Sequence, residues 1–130
     1  MKTSVLLTVY AVVAAATCVA MMLAPTFWLF VQGASATDQA ELLIRYIGAL
    51  YGGLALTAWI ARNAEPSSAR TAITTGLVAA NGLGAVVAVA FGLTGVHNVV
   101  IWITVAIHAV FCVGFLIAGR NATTVDAAAH

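Results

Sequence analysis

Four apolar blocks, each about twenty residues long and almost free of charge, constrain this chain more than any other feature. They run at about residues 4–24, 39–61, 69–93 and 98–119. An α-helix rises ~1.5 Å per residue and the hydrocarbon core of a bilayer is ~30 Å thick, so a span needs about 20 residues. Strand-like alternation, which a membrane barrel requires, is absent from the blocks. They therefore predict an all-α integral membrane protein, an up-down-up-down bundle of four transmembrane helices.

The composition excludes most other classes of protein. Hydrophobic residues make up 63% of the 130 residues and charged residues only 7%. A soluble domain carries roughly a quarter charged residues, because its surface must face water. The net charge of +1 leaves no patch that could bind a polyanion. A soluble enzyme, a nucleic-acid-binding protein and a disordered segment are all excluded.

Charges outside the blocks predict one transmembrane domain, residues 1–120, followed by a short polar cytoplasmic tail, residues 121–130. The basic residues that flank the blocks share one side of the predicted membrane: Lys2, Arg62, Arg70 and Arg120. Positive residues favour the cytoplasmic side, so both termini are predicted to be cytoplasmic in a multi-pass protein of the bacterial inner membrane. The first apolar run exceeds the ~7–15 residues of a signal peptide and is expected to be a retained helix.

Helix boundaries have sequence signals as well. Asp38 followed by Glu41 resembles a capping box at the start of the second span. Ser67 or Ser68 is the expected N-cap of the third span, and Asn98 that of the fourth. The connection after the first span begins at Pro25 and is expected to include a short interfacial segment.

Small residues predict where helices approach closely, since packing in lipid depends on small side chains and polar pairs. The third span carries them every four residues: Gly76, Ala80, Gly84, Ala88 and Gly92. The second span carries a GxxxG motif, Gly48 to Gly52. We expect these faces to form seams within the chain; an interface between copies is the alternative.

Four polar residues form the candidate intramembrane cluster: Glu41, Arg45, Asn81 and His108. A charge inside a bilayer costs a few kcal/mol and is a functional hypothesis by default. Arg45 is expected to pair with Glu41 one turn away and anchor the helix; the alternative is a buried cation for an anionic or carbonyl-bearing ligand. All of Arg45, Asn81 and His108 are expected to point into the bundle.

Asn81 and His108 lie deepest, ~15–18 Å from the predicted outer ends of their helices. Asn81 is expected to bond across helices. His108 is expected to be a neutral, hydrogen-bonded core residue, with a proton relay or an axial cofactor ligand as alternatives. The spacing of residues predicts no metal site. Cys18 and Cys112 differ by ~12 Å in predicted height, which exceeds the ~7 Å that a disulfide allows.

The order of the motifs resembles a known family. A proline-ended first span, then Arg45-Tyr-Ile-Gly48-Ala, then Trp59-Ile-Ala-Arg62 and two further spans, is similar to the DoxX-like small bacterial four-helix membrane proteins. Some members of that family are membrane subunits of quinone-linked oxidoreductases. The resemblance implies an accessory or redox-partner role, and it carries no catalytic residue over to this chain.

These observations favour a small polytopic membrane protein that acts as a non-catalytic or redox-linked accessory subunit of a membrane complex. A small oligomeric transporter or channel is the alternative, although no intramembrane carboxylate lies deeper than Glu41. An embedded enzyme acting on a lipid or quinone is a third interpretation, with His108 as proton donor and Arg45 as anion clamp. No resident cofactor is predicted, with quinone or haem as alternatives. The expected partners are the bilayer and a homo-oligomer or larger complex, and no nucleic acid.

Overall fold

The computed structural model describes residues 2–94 and 98–127, with side chains as far as residue 119. Over these ranges the chain is all-helical, and its helices are α1 (Thr3–Leu23), α2 (Pro25–Val31), α3 (Asp38–Ala61), α4 (Ser68–Leu93) and α5 (Val99–Ala127). The four long helices each contain a stretch long and apolar enough to cross a membrane. The short helix α2 forms the segment expected after Pro25, with proline in its first turn, where the missing N–H costs nothing.

The helix starts agree with the sequence signals except at α3. There the Thr37 hydroxyl caps the helix, accepting a hydrogen bond from the backbone N–H of Ala40 at 3.2 Å. The expectation that Asp38 would cap α3 was wrong, because Thr37 has the extended backbone that a cap requires and Asp38 is already helical. Ser67 and Asn98 accept backbone N–H groups at the starts of α4 and α5 as predicted.

Helix α5 runs past its predicted end. The fourth span was predicted to end at residue 119, with residues 121–130 forming a polar tail. The helical backbone instead continues to Ala127. No proline or further glycine follows Gly119 in this stretch, so the chain contains no residue that would break the helix there.

Helices α1 and α3 pack side by side in antiparallel directions. A Cβ atom placed on Gly48 would lie 2.9 Å from Cβ of Met21, and one on Gly52 would lie 3.0 Å from Sγ of Cys18. Successive glycines of α3 therefore contact residues of α1 in reverse order, as antiparallel helices require. The GxxxG motif of the second predicted span lies in this seam, where the absence of side chains lets the two backbones approach.

Helices α4 and α5 form a second antiparallel pair. Gly84 lies against the ring of His108, and Gly92 lies against Trp102. Gly76 is exposed and a Cβ atom on it would meet nothing within 4 Å, so the small-residue series of this helix packs only in part. Ala80 and Ala88 are half-buried.

The core lies where the two helix pairs meet. Tyr10 of α1 makes edge-to-face contacts with Phe111 and Phe115 of α5, with ring centroids 5.0 and 5.4 Å apart. Leu7 and Leu77 are buried in the same cluster. Packing is denser within each pair than between the pairs, and this looser interface contains the cavity described next.

Candidate functional site

A cavity of about 80 Å³ lies between the α1–α3 pair and the α4–α5 pair and is partly open. All five helices contribute to its lining. The polar residues that line it are Tyr10, Thr17, Tyr51, Asn81, Thr104 and His108. The other side chains of the lining are apolar or aromatic, including Trp28 and Phe111. The site is therefore a small cavity with both polar and apolar lining, located between the helices of a bundle.

A chain of hydrogen bonds crosses the cavity wall and is centred on His108. Its Nδ1 atom lies 3.1 Å from Oδ1 of Asn81 on α4. Its Nε2 atom lies 3.3 Å from the hydroxyl oxygen of Tyr51 on α3. The Asn81 amide nitrogen in turn donates to the carbonyl of Leu77 at 2.8 Å. The chain thereby joins the two helix pairs through side chains.

The backbone carbonyl of Leu77, together with a neutral His108 ring, determines the direction of every bond in this chain. A carbonyl can only accept, so the NH₂ group of Asn81 must face it and Oδ1 must face His108. Nδ1 of His108 then carries the proton, and Nε2 of the neutral ring is an acceptor. Tyr51 therefore donates its hydroxyl proton to His108. This assignment follows from the hydrogen-bond network.

Because Asn81 is buried, its hydrogen bonds are important for stability. Asn81 is only 2% exposed, and a buried polar group without a partner costs about 1–3 kcal/mol. Gly84 creates the space for the His108 ring, since a Cβ atom there would lie 2.8 Å from Cε1 of that ring. A residue without a side chain thus allows the imidazole to reach Asn81.

The short helix α2 brings Trp28 to the cavity. Two hydrogen bonds hold α2 in place. Thr26 donates to Oε1 of Glu41 at 2.6 Å, and Asn98 donates to the carbonyl of Val31 at 2.6 Å. The aromatic wall of the cavity is therefore attached both to α3 and to the start of α5.

Glu41 and Arg45 lie apart from this chain of hydrogen bonds. Arg45 is exposed, and its Nη1 atom donates to the carbonyl of Met22 at 2.7 Å, near the end of α1. Glu41 accepts from Thr26. The expected pairing of Arg45 with Glu41 was wrong, because unpaired carbonyls at a helix C-terminus attract a cation. Asn81 and His108 are hydrogen-bonded to each other. Glu41 and Arg45 instead make their hydrogen bonds where α1, α2 and α3 meet.

The cysteines belong to different helix pairs. Cys18 faces Gly52 within the α1–α3 seam, and Cys112 faces Gly82 within the α4–α5 seam. Both are free thiols. Across residues 2–94 and 98–119, no group of three His, Cys, Asp or Glu side chains could hold a metal ion.

Tyr10, Tyr51 and Trp28 line the cavity but were not predicted as site residues. A signal existed for Tyr51, which lies inside the GxxxG segment and thirteen residues from the start of α3, near the middle of the predicted span. A phenol at that depth needs a hydrogen-bond partner. The partner itself was not predictable, since it depends on how the two helix pairs dock.

No protein-family model matches this chain, no curated protein matches its sequence, and no solved structure matches its fold. A functional assignment therefore depends on the geometry of the cavity and on the chemistry of its lining.

Proposed function

We propose that this chain is a multi-pass protein of the bacterial inner membrane, with its four long helices spanning up-down-up-down and both termini in the cytoplasm. It acts as a non-catalytic or redox-linked accessory subunit of a membrane complex. In that role it holds a small lipid-soluble molecule in the cavity between its two helix pairs. A second copy or another membrane protein is the expected partner.

The outer surface supports the membrane assignment. Large apolar side chains are exposed on every long helix; Leu50 is 69% exposed, Leu83 68% and Val110 68%. A soluble monomer rarely exposes apolar patches larger than a few hundred Å². In a bilayer, exposed apolar side chains carry no such penalty, because lipid tails are as apolar as the side chains themselves.

The single observation that carries the ligand-binding role is the hydrogen-bond chain Tyr51–His108–Asn81 beside a cavity. His108 lies nine residues after Val99, about 14 Å along the helix and close to mid-span. Polar groups at that depth are costly unless satisfied, and they mark ligand or ion pathways. The lining contains no carboxylate and no cysteine, so it supports binding more than catalysis.

The chemistry of the lining distinguishes between quinone and haem, the two cofactors that remained as alternatives from the sequence. Haem does not fit, because Nε2 of His108 is engaged by Tyr51 and the cavity measures only about 80 Å³. A quinone in its reduced form carries hydroxyl groups that can donate to the Tyr51 oxygen, and its apolar ring complements the aromatic walls of the cavity. The resemblance to DoxX-like proteins makes quinones the first compounds to look for.

A transporter is the second candidate, and the loose interface between the helix pairs is the observation that favours it. Two rigid pairs could rock about a shared cavity, as transporter repeats do. Flux of a radiolabelled quinone analogue or of protons into proteoliposomes, compared with protein-free vesicles, would show whether transport occurs.

The test of the binding role is the composition of the purified protein. The chain is extracted in mild detergent, its absorption spectrum is recorded, and bound lipids are identified by mass spectrometry. We expect one lipid-soluble compound to be enriched over the bulk membrane lipids. Tyr51→Phe combined with His108→Phe should abolish the enrichment, and Tyr46→Phe on the same helix should retain it. An unchanged lipid profile in the double variant would contradict the proposal.

A further inference from the structure

The polar lining of the cavity presents mainly oxygen lone pairs. The Thr17 hydroxyl donates its proton to the carbonyl of Val13 at 3.0 Å. The Thr104 hydroxyl donates its proton to the carbonyl of Val100 at 2.9 Å. Each threonine donates its only hydroxyl proton to a backbone carbonyl of its own helix. Each hydroxyl oxygen can therefore only accept a hydrogen bond from a molecule in the cavity.

The Tyr51 oxygen is also an acceptor towards the cavity, for a different reason. His108 is neutral with its proton on Nδ1, so the hydroxyl proton of Tyr51 goes to Nε2. The Tyr51 oxygen keeps a lone pair for a ligand. Tyr10 is the other phenol of the lining, and its hydroxyl interacts with the Asn81 side chain.

The size and charge of the cavity restrict the ligand further. At about 80 Å³ it has roughly half the volume of an engineered cavity of about 150 Å³ that binds benzene. It therefore admits the end of a molecule whose remainder extends through the partly open side. No charged side chain lines it, and a charged head group would be left uncompensated at this depth.

We propose that the cavity binds the hydroxyl end of an uncharged amphiphile, a long-chain phenol or alcohol, with the ligand hydroxyl donating to the Tyr51 oxygen. The inference rests on the proposed ligand-binding function and specifies the chemical class of the ligand. For a redox-linked ligand it means that the reduced, hydroxyl-bearing form is bound in preference to the carbonyl form.

His108 is a positioning residue in this arrangement. It accepts the Tyr51 proton and so keeps the Tyr51 oxygen available as an acceptor. His108→Phe removes that acceptor and frees the Tyr51 hydroxyl to donate into the cavity. The ligand preference should then shift towards compounds that only accept a hydrogen bond, which a merely structural role of His108 would not produce.

The test uses 4-octylphenol and its methyl ether, 4-octylanisole, which lacks the donor proton. The protein is reconstituted in lipid nanodiscs with Trp59→Phe and Trp102→Phe, so that Trp28 in the cavity wall reports binding by fluorescence. We expect the phenol to bind about tenfold more tightly than the ether, the value of one good hydrogen bond. Tyr51→Phe should remove this preference, His108→Phe should reverse it, and Tyr46→Phe should preserve it.

The outcomes separate this inference from the proposed function. Equal affinity for phenol and ether in the parent protein would overturn the donor assignment while leaving ligand binding in the cavity intact. Binding of neither compound would overturn both. A preference for the phenol that survives in both Tyr51→Phe and His108→Phe would place the ligand elsewhere and would also overturn the inference.

Discussion

Nδ1 of His108 lies 3.1 Å from Oδ1 of Asn81, so two side chains on facing helices satisfy each other in the interior of the bundle. The bond determines the tautomer of His108 and, through it, the direction of the Tyr51 hydroxyl. One interhelical contact therefore joins α4 to α5 and also determines which way the Tyr51 hydroxyl points.

Replacing Asn81 tests the energetic part of this relationship. Asn81→Leu leaves the Nδ1–H group of His108 without its partner, and we expect the free energy of unfolding to fall by about 1–3 kcal/mol. The measurement is reversible unfolding in mixed micelles of mild and denaturing detergent. Adding His108→Phe should restore part of the loss, because no unpaired polar group remains. Strict additivity of the two substitutions would mean that the pair is not coupled.

Two glycines of α4 should respond oppositely to the same substitution. In Gly84→Ala the new Cβ atom lies 2.8 Å from the His108 ring, and we expect a destabilisation of about 1–3 kcal/mol, typical of overpacking. Gly76→Ala adds a methyl group in open space and should be neutral or stabilising by up to about 1 kcal/mol, through helix propensity. The same detergent unfolding assay compares them. Equal effects would show that Gly84 does not lie in a close contact.

The role of Arg45 can be separated from an ion pair with Glu41. Arg45→Leu removes the donor to the Met22 carbonyl, a charge-assisted bond worth about 1.5–3 kcal/mol. We expect amide hydrogen exchange around the α1–α2 junction to accelerate by about 10- to 100-fold, measured by mass spectrometry. Glu41→Gln keeps an acceptor for Thr26 and should leave this exchange nearly unchanged. Acceleration of similar size in Glu41→Gln would restore the ion-pair interpretation.

Fusion reporters test the membrane topology. The connection between α2 and α3 carries Asp38 at its end and no basic residue, whereas Arg62 and Arg70 flank the connection between α3 and α4. Positive residues stay in the cytoplasm, so alkaline phosphatase inserted after Gly33 should be active and a fluorescent protein at the C-terminus should fold and fluoresce. Phosphatase activity from a fusion at the C-terminus would contradict the topology.

The local elements were predictable because their signals are local. Twenty apolar residues without a charge satisfy their backbone groups as a helix wherever water is scarce, and the four long helices match the predicted blocks within a few residues at their starts. Ser67 and Asn98 cap helices because a short polar side chain can reach the free N–H groups of the first turn. Thr37 rather than Asp38 caps α3, because the backbone of Thr37 is extended and Asp38 is already in the helix.

The partners of the polar side chains were less predictable. Arg45 was assigned to Glu41 from their spacing on one helix, but the carbonyl of Met22 on another helix lies closer to its guanidinium. No role was predicted for Tyr51, since nothing in its own segment indicates that α3 faces α5 at the level of His108. A contact between helices depends on their rotation and relative height, and each of these is the sum of many small packing terms.

The amino-acid sequence alone was sufficient to predict four long apolar helices, with Asn81 and His108 in the interior of the third and fourth spans, because both follow from hydropathy and helical rise. Only the tertiary structure decided that these two residues meet, that Tyr51 completes the chain of hydrogen bonds, and that a cavity opens beside them. The first feature arises from the packing of α4 on α5, where Gly84 leaves room for the His108 ring. The other two arise from the docking of the two helix pairs, which no single segment specifies.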